Sequence, residues 1–107
     1  MSGRRPTQVA EAIAHCAGDF LERESNHRSL VTATRADVSP DLKNVMVYLS
    51  ILPHTFEDEV LSFAKRQRSN FRQYVKKHIT LRFLPTIDFA IDYGEKNRQR
   101  IDDLTRR

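Results

Sequence analysis

The chain has 107 residues, 39% of them apolar, with 18 Lys+Arg against 14 Asp+Glu and a formal charge of +4. That length supports one compact domain over residues 1–107, and a domain of this size buries roughly 60–70% of its unfolded surface without needing staples. No apolar run approaches the ~20 residues of a membrane helix, the lone Cys16 excludes a disulfide framework or a four-cysteine zinc site, and Glu11, Asp19, Glu22 and Glu24 near the start argue against a targeting segment and for a cytoplasmic setting.

Residues 1–5 form a basic tail carrying Arg4 and Arg5. The spacing of Val9, Ala12, Ile13, Cys16, Ala17, Phe20 and Leu21 predicts a helix over 7–25, its apolar stripe interrupted only by Gly18, with a stop at Ser25-Asn26-His27. Residues 30–38 alternate, with Leu30, Thr32, Thr34, Ala36 and Val38 predicted on one face and Arg35 and Asp37 on the other. Ser39-Pro40-Asp41 breaks that strand, and a second follows over 44–52 with Val45, Val47, Leu49 and Ile51 facing one way; the short link makes an antiparallel hairpin.

After Pro53, Thr55 is the predicted N-cap of a helix with Glu57, Asp58 and Glu59 in its first turn, where anions meet the positive end of the dipole. The helix runs to about residue 77 with an apolar sector of Phe56, Val60, Ala64, Phe71, Tyr74 and Val75, and Ser69-Asn70 predicts a kink. Residues 79–92 return to period two, with Leu81, Phe83, Ile87, Phe89 and Ile91 on one face and Arg82, Asp88 and Asp92 on the other. Pro85 inside that run argues for an edge or a bulge. Tyr93-Gly94 turns the chain, and 94–107 is a charged tail or short helix anchored by Ile101 and Leu104. The order helix, strand, strand, kinked helix, strand predicts a two-layer α+β domain, with helices on one face of a three-stranded sheet.

Little here points to chemistry. Three glycines make no phosphate-cradling loop, and His15, His27, His54 and His78 lie at no metal-ligand spacing. Cys16 falls within an apolar stripe, as a small buried hydrophobe would. The 57–59 acids are explained by helix capping, Asp88 and Asp92 as solvent-facing or paired with Arg82, and Ser50 lacks a nucleophile elbow. The expectation is no enzyme, no cofactor, no metal and no small-molecule substrate.

Charge placement is more informative. From Val60 to Ile87 there is no acid, while Lys65, Arg66, Arg68, Arg72, Lys76, Lys77 and Arg82 all fall in that window. Lys65, Arg68, Arg72 and Lys76 form one stripe at ~100° per residue. Solvated helix faces ordinarily mix signs, whereas an acid-free stripe tracks a polyanion. Helix-turn-helix, zinc-finger and zipper signatures are absent, and most of the phenylalanines are assigned to core faces, which favours structured RNA read through backbone and shape.

The stretch Thr32-Ala33-Thr34-Arg35-Ala36-Asp37-Val38-Ser39-Pro40-Asp41-Leu42 with Val47-Tyr48-Leu49-Ser50 resembles the hallmark segment of the ribosome-binding factor A family. So do Leu81-Arg82-Phe83-Leu84-Pro85, leading into Ile87-Asp88-Phe89 and Asp92, and the ending Arg100-Ile101-Asp102-Asp103-Leu104. The resemblance implies a type II KH-like fold. It also implies a non-catalytic bacterial factor that binds the 30S small-subunit precursor and its 16S ribosomal RNA in late maturation, above all in the cold. Two departures stand out: Arg68-Ser69-Asn70 occupies the place of the family's Ala-x-Gly kink, and Asn26-His27-Arg28 replaces Asp-Pro-Arg. The expected interface is therefore Lys65, Arg66, Arg68, Ser69, Asn70, Arg72, Lys76 and Lys77, with Arg82, Arg4 and Arg5 at its rim, on a monomer that touches no membrane. The alternatives are a free-standing KH-like binder of single-stranded RNA, and a protein–protein adaptor using Met46, Tyr48 and Leu52.

Overall fold

The computed structural model describes residues 6–24 and 28–94; the basic N-terminal tail, the predicted stop at 25–27 and the charged C-terminal segment lie outside the described residues. Helix α1 (Pro6–Glu24) is followed by strands β1 (Leu30–Val38) and β2 (Asn44–Leu52) and a 3-10 turn at His54–Phe56. Helices α2 (Glu57–Arg66) and α3 (Arg68–His78) and strand β3 (Thr86–Ile91) complete the predicted order.

The apolar stripe of α1 is the side that packs: Val9, Ile13, Cys16, Ala17, Phe20 and Leu21 are all buried. The strands form one sheet in the order β1-β2-β3, β1 antiparallel to β2 and β3 parallel to it. On central β2, Val45, Val47, Leu49 and Ile51 are buried and alternate with outward residues, as predicted. Phe71 of α3 is fully buried, and its ring lies 5.3 Å from that of Phe20 and 5.6 Å from that of Phe89. That aromatic contact joins α1 and α3 to the sheet.

Strand β1 departs from strict alternation. The pairing runs Ala33 with Leu49, then Arg35 with Tyr48, so Thr34 is an extra bulged residue. A bulge of one residue switches which parity faces inward. Val31 and Ala33 pack on the core before it and Ala36 and Val38 after it. Leu30 and Thr32, predicted on the inner face, are exposed. The Thr34 hydroxyl donates to Asp92 Oδ2. Asp92 is itself buried, its N–H donating to Leu49 O at 2.8 Å. Arg35 Nε also lies 3.7 Å from Asp92 Oδ2. Asp92 thus ties β3 to β1 across β2, which corrects its assignment as solvent-facing or partnered by Arg82.

Two other boundaries move. Helix α2 begins at Glu57 behind Phe56, without a side-chain cap, because the intervening 3-10 turn takes up Thr55. Ordered pairing in the last strand starts only at Thr86, so 79–85 is irregular and Phe83, expected on the core face, is 73% exposed. The edge position inferred from Pro85 is where β3 lies. In the hairpin, Asp41 accepts from the Ser39 hydroxyl at 2.6 Å and from the Lys43 N–H at 3.0 Å, which hold its carboxyl below the usual range. Leu42 is left at φ 61°, a conformation costly for a side-chain-bearing residue, while its side chain packs on the core.

Gly18 is helical, and a Cβ added to it would meet nothing within 4 Å. Gly18→Ala is therefore expected to stabilise the fold by about 1 kcal/mol, raising Tm by roughly 4–8 °C. Thermal unfolding followed by circular dichroism tests this; an unchanged or lower Tm would show that α1 needs glycine there.

Candidate nucleic-acid interface

The seven basic residues of the 60–87 window ride on the connection from β2 to β3. Its two helices are separated by Gln67 alone, at φ −92° and ψ 7°. That conformation interrupts a helix without a left-handed residue. The Gln67 N–H donates to Phe63 O and Ala64 O, and its carbonyl accepts the Phe71 N–H at 2.8 Å, so both helix ends share one residue. The break thus falls before the predicted Ser69-Asn70. Ser69 and Asn70 lie exposed in the first turn of α3, and Asn70 Nδ2 donates to Gln67 Oε1 at 2.8 Å. Among the described residues only Leu42 is a non-glycine with positive φ, so Asn70 does not stand in for glycine.

The stripe Lys65, Arg68, Arg72, Lys76 is not uniformly free. Lys65 Nζ and Arg68 Nη1 each lie 3.2 Å from Asp88 Oδ1, which also accepts the Phe89 N–H at 2.8 Å. Burial alone raises the Asp88 carboxyl; the Phe89 N–H, Lys65 and Arg68 outweigh it and hold the carboxyl below its ordinary value. Arg72, half-buried, donates through Nε to Pro85 O at 3.0 Å and through Nη2 to Leu84 O at 3.3 Å. An acid-free window in the sequence is therefore not an acid-free surface, because Asp88 follows immediately after Ile87 and lies against the helices in space.

What remains lies mainly at the far end of α3. Lys76 and Lys77 are exposed, as is Arg66 at the end of α2, and among the described residues none of the three has an ion-pair partner. Exposed Arg82 places its guanidinium 5.5 Å from the Phe83 ring centroid. Arg72, Lys76 and Arg82 line one cleft without an acidic residue, which leaves that end of the connection positive. Arg4 and Arg5 lie outside the described residues.

The other singled-out residues have structural roles. Cys16 is buried, and burial together with nearby Asp19 pushes its thiol up, away from the thiolate a nucleophile needs. Glu59 pairs with Arg28 at 3.0 Å, tying the start of β1 to α2. On the open sheet face Arg35 lies 3.8 Å from the Tyr48 ring centroid, which covers part of the surface an adaptor would use. Among the described residues no cluster of His, Cys, Asp and Glu could hold a metal ion, and no helix is long and apolar enough to cross a membrane.

The family model described as ribosome-binding factor A matches residues 5–105. The chain is 31% identical over 108 residues to ribosome-binding factor A of Bradyrhizobium sp., covering 96% of this chain and 78% of the relative. Against the protein of the same name from Methylobacterium sp. it is 32% identical with the same coverage. The fold is similar to the crystal structure of ribosome-binding factor A from Thermus thermophilus, with a TM-score of 0.73 at 16% identity over 82% of this chain and 97% of that one. It is also similar, at TM-score 0.67 and 17% identity over 76% and 88% of the two chains, to a Thermus thermophilus ribosome-binding factor A model fitted into a cryo-EM map of a 30S complex.

Asp88→Asn is expected to lower stability at pH 7 by about 1 kcal/mol, the scale of a partly exposed ion-pair network. Because the folded-state pKa of Asp88 is lowered, its contribution is complete above the unfolded value near 4 and fades as pH falls through the folded value. Urea melts of both proteins at pH 7 and in acid check this: the gap should close at low pH, and a gap independent of pH would exclude an ionic origin.

Proposed function

The chain belongs to the ribosome-binding factor A family, and from that premise we propose that it is a non-catalytic assembly factor of the cytoplasm. It docks on the precursor of the 30S small subunit, contacts 16S ribosomal RNA during late maturation, and matters most in the cold. The observation that carries this reading is the cationic end of the β2–β3 connection, where Lys76, Lys77 and Arg82 are exposed and, among the described residues, have no ion-pair partner. The Thermus relative fitted into a 30S complex map supports the same partner here. Electrostatic docking suits this architecture, since each cation that meets a phosphate releases a counterion. Lys65 and Arg68, anchored on Asp88, together keep a net charge of one and can present it to the RNA at little cost in side-chain freedom. Binding would hold an RNA segment in, or away from, its final pairing.

The proposal is tested by charge reversal where charge is free. Lys76→Glu with Lys77→Glu is expected to weaken binding to small-subunit precursors at least tenfold and to leave precursor 16S RNA accumulating, with the fold retained and a modest loss of thermal stability, because both positions lie in the last turn of α3, where the helix dipole favours cations. Arg72 is a poor choice because its loss also releases the Leu84 and Pro85 carbonyls. With about four phosphates neutralised, affinity should fall roughly 100-fold between 50 and 200 mM salt. In sedimented extract the protein should travel with free small subunits and not with 70S particles. A flat salt response, or a partner retained after nuclease treatment, would instead favour an adaptor built on the exposed cross-strand pair Leu30 and Leu52.

A further inference from the structure

Phe83 is the most exposed of the large hydrophobic side chains in the described chain, at 73%, in a protein whose other phenylalanines are buried or half-buried. It lines a cleft of about 590 Å3 between the last turns of α3 and the 79–85 segment, together with Arg72, Lys76, Thr80, Arg82 and Leu84. None of the residues lining this cleft is acidic. Three other cavities each include a carboxylate: Glu24 and Glu59 in one, Asp37 and Asp88 in the second, Glu22 in the third. Arg72 holds the far wall in place through the Leu84 and Pro85 carbonyls, so the cleft does not have to be assembled on binding. Arg82 lies over the Phe83 ring at 5.5 Å from its centroid.

We propose that this cleft receives one unpaired nucleotide of the RNA, its base stacked on Phe83 and its phosphate held by Lys76 and Arg82. The inference rests on the RNA-docking reading above and adds a base-stacking step to what would otherwise be contact with the phosphate backbone alone. An aromatic face accepts any base, because every base presents a π-face, and an adjacent guanidinium adds to the stack. The cations at the rim attract the polyanion, and the apolar ring gives the base a dry surface to leave water for. A helical duplex keeps its bases stacked and cannot offer one, so the cleft distinguishes single-stranded segments, loops and bulges from paired RNA.

The chain contains no tryptophan, so Phe83→Trp introduces a single indole at the proposed stacking surface. A single-stranded eight-nucleotide oligoadenylate is expected to quench that fluorescence, and an RNA duplex of equal phosphate concentration to leave it unchanged. Phe83→Ala is expected to weaken oligoadenylate binding roughly tenfold with the salt slope unaltered, because the slope counts phosphates, and Phe83→Trp should retain binding. If the oligonucleotide binds with its salt dependence intact while the indole stays silent and Phe83→Ala binds like the parent, the stacking site is overturned and the docking reading stands. If Lys76→Glu with Lys77→Glu also has no effect, the docking reading falls as well. Should Phe83→Ala lose small-subunit binding while oligoadenylate affinity and indole emission stay constant, Phe83 faces a protein and the nucleotide assignment is overturned.

Discussion

Strand β3 lies parallel to β2, and this pairing constrains everything else in the molecule. Two parallel neighbours cannot be joined by a tight turn; the chain must leave the end of one strand and return to the start of the other across a face of the sheet. Here that crossing is made by α2 and α3. The same segment therefore covers the core with Ala64, Phe71 and Val75 and carries the seven basic residues of the 60–87 window. Core closure and charge display are two faces of one connection, so a change that loosens the packing of α3 also disperses the cations.

Asp88 sets how that charge is used. One carboxylate oxygen takes the Phe89 N–H, Lys65 and Arg68 together, and this anchors the first part of α3 to the edge strand. The arrangement exchanges some of the field near the helix break for order, since two long side chains would otherwise sample many rotamers. Arg72 is engaged similarly by backbone carbonyls. The positive surface left available is displaced toward Lys76, Lys77 and Arg82, beside the exposed ring of Phe83 and away from the break where the family resemblance centres it.

Elements with one dominant signal were readable directly. Helix α1 and strand β2 each bury the stripe that their periodicity marks, and the hairpin between β1 and β2 follows from a short Ser-Pro-Asp link. Mistakes arose where a local rule met a longer-range partner. Thr34 reads as an ordinary alternating strand residue, yet its hydroxyl bonds Asp92, 58 positions away, and the bulge that accommodates it moves Leu30 and Thr32 to the exposed side. Leu81 and Phe83 continue the parity of Ile87 and Phe89, but pairing starts only at Thr86, and Phe83 has no neighbouring strand to pack against. The helix break lies at Gln67, a residue with no reputation as a helix breaker, and nothing local in the sequence marks it.

The order of elements, the buried faces of α1 and β2, and the concentration of seven cations in one window were determined by the amino-acid sequence alone, because periodicity and composition are local properties carried by neighbouring residues. The parallel pairing of β3, the burial of Asp92, the pairing of Lys65 and Arg68 with Asp88, and the exposure of Phe83 were decided only by the tertiary structure. Each of these depends on which distant groups share a few ångströms of space, and neither periodicity nor composition specifies that distance.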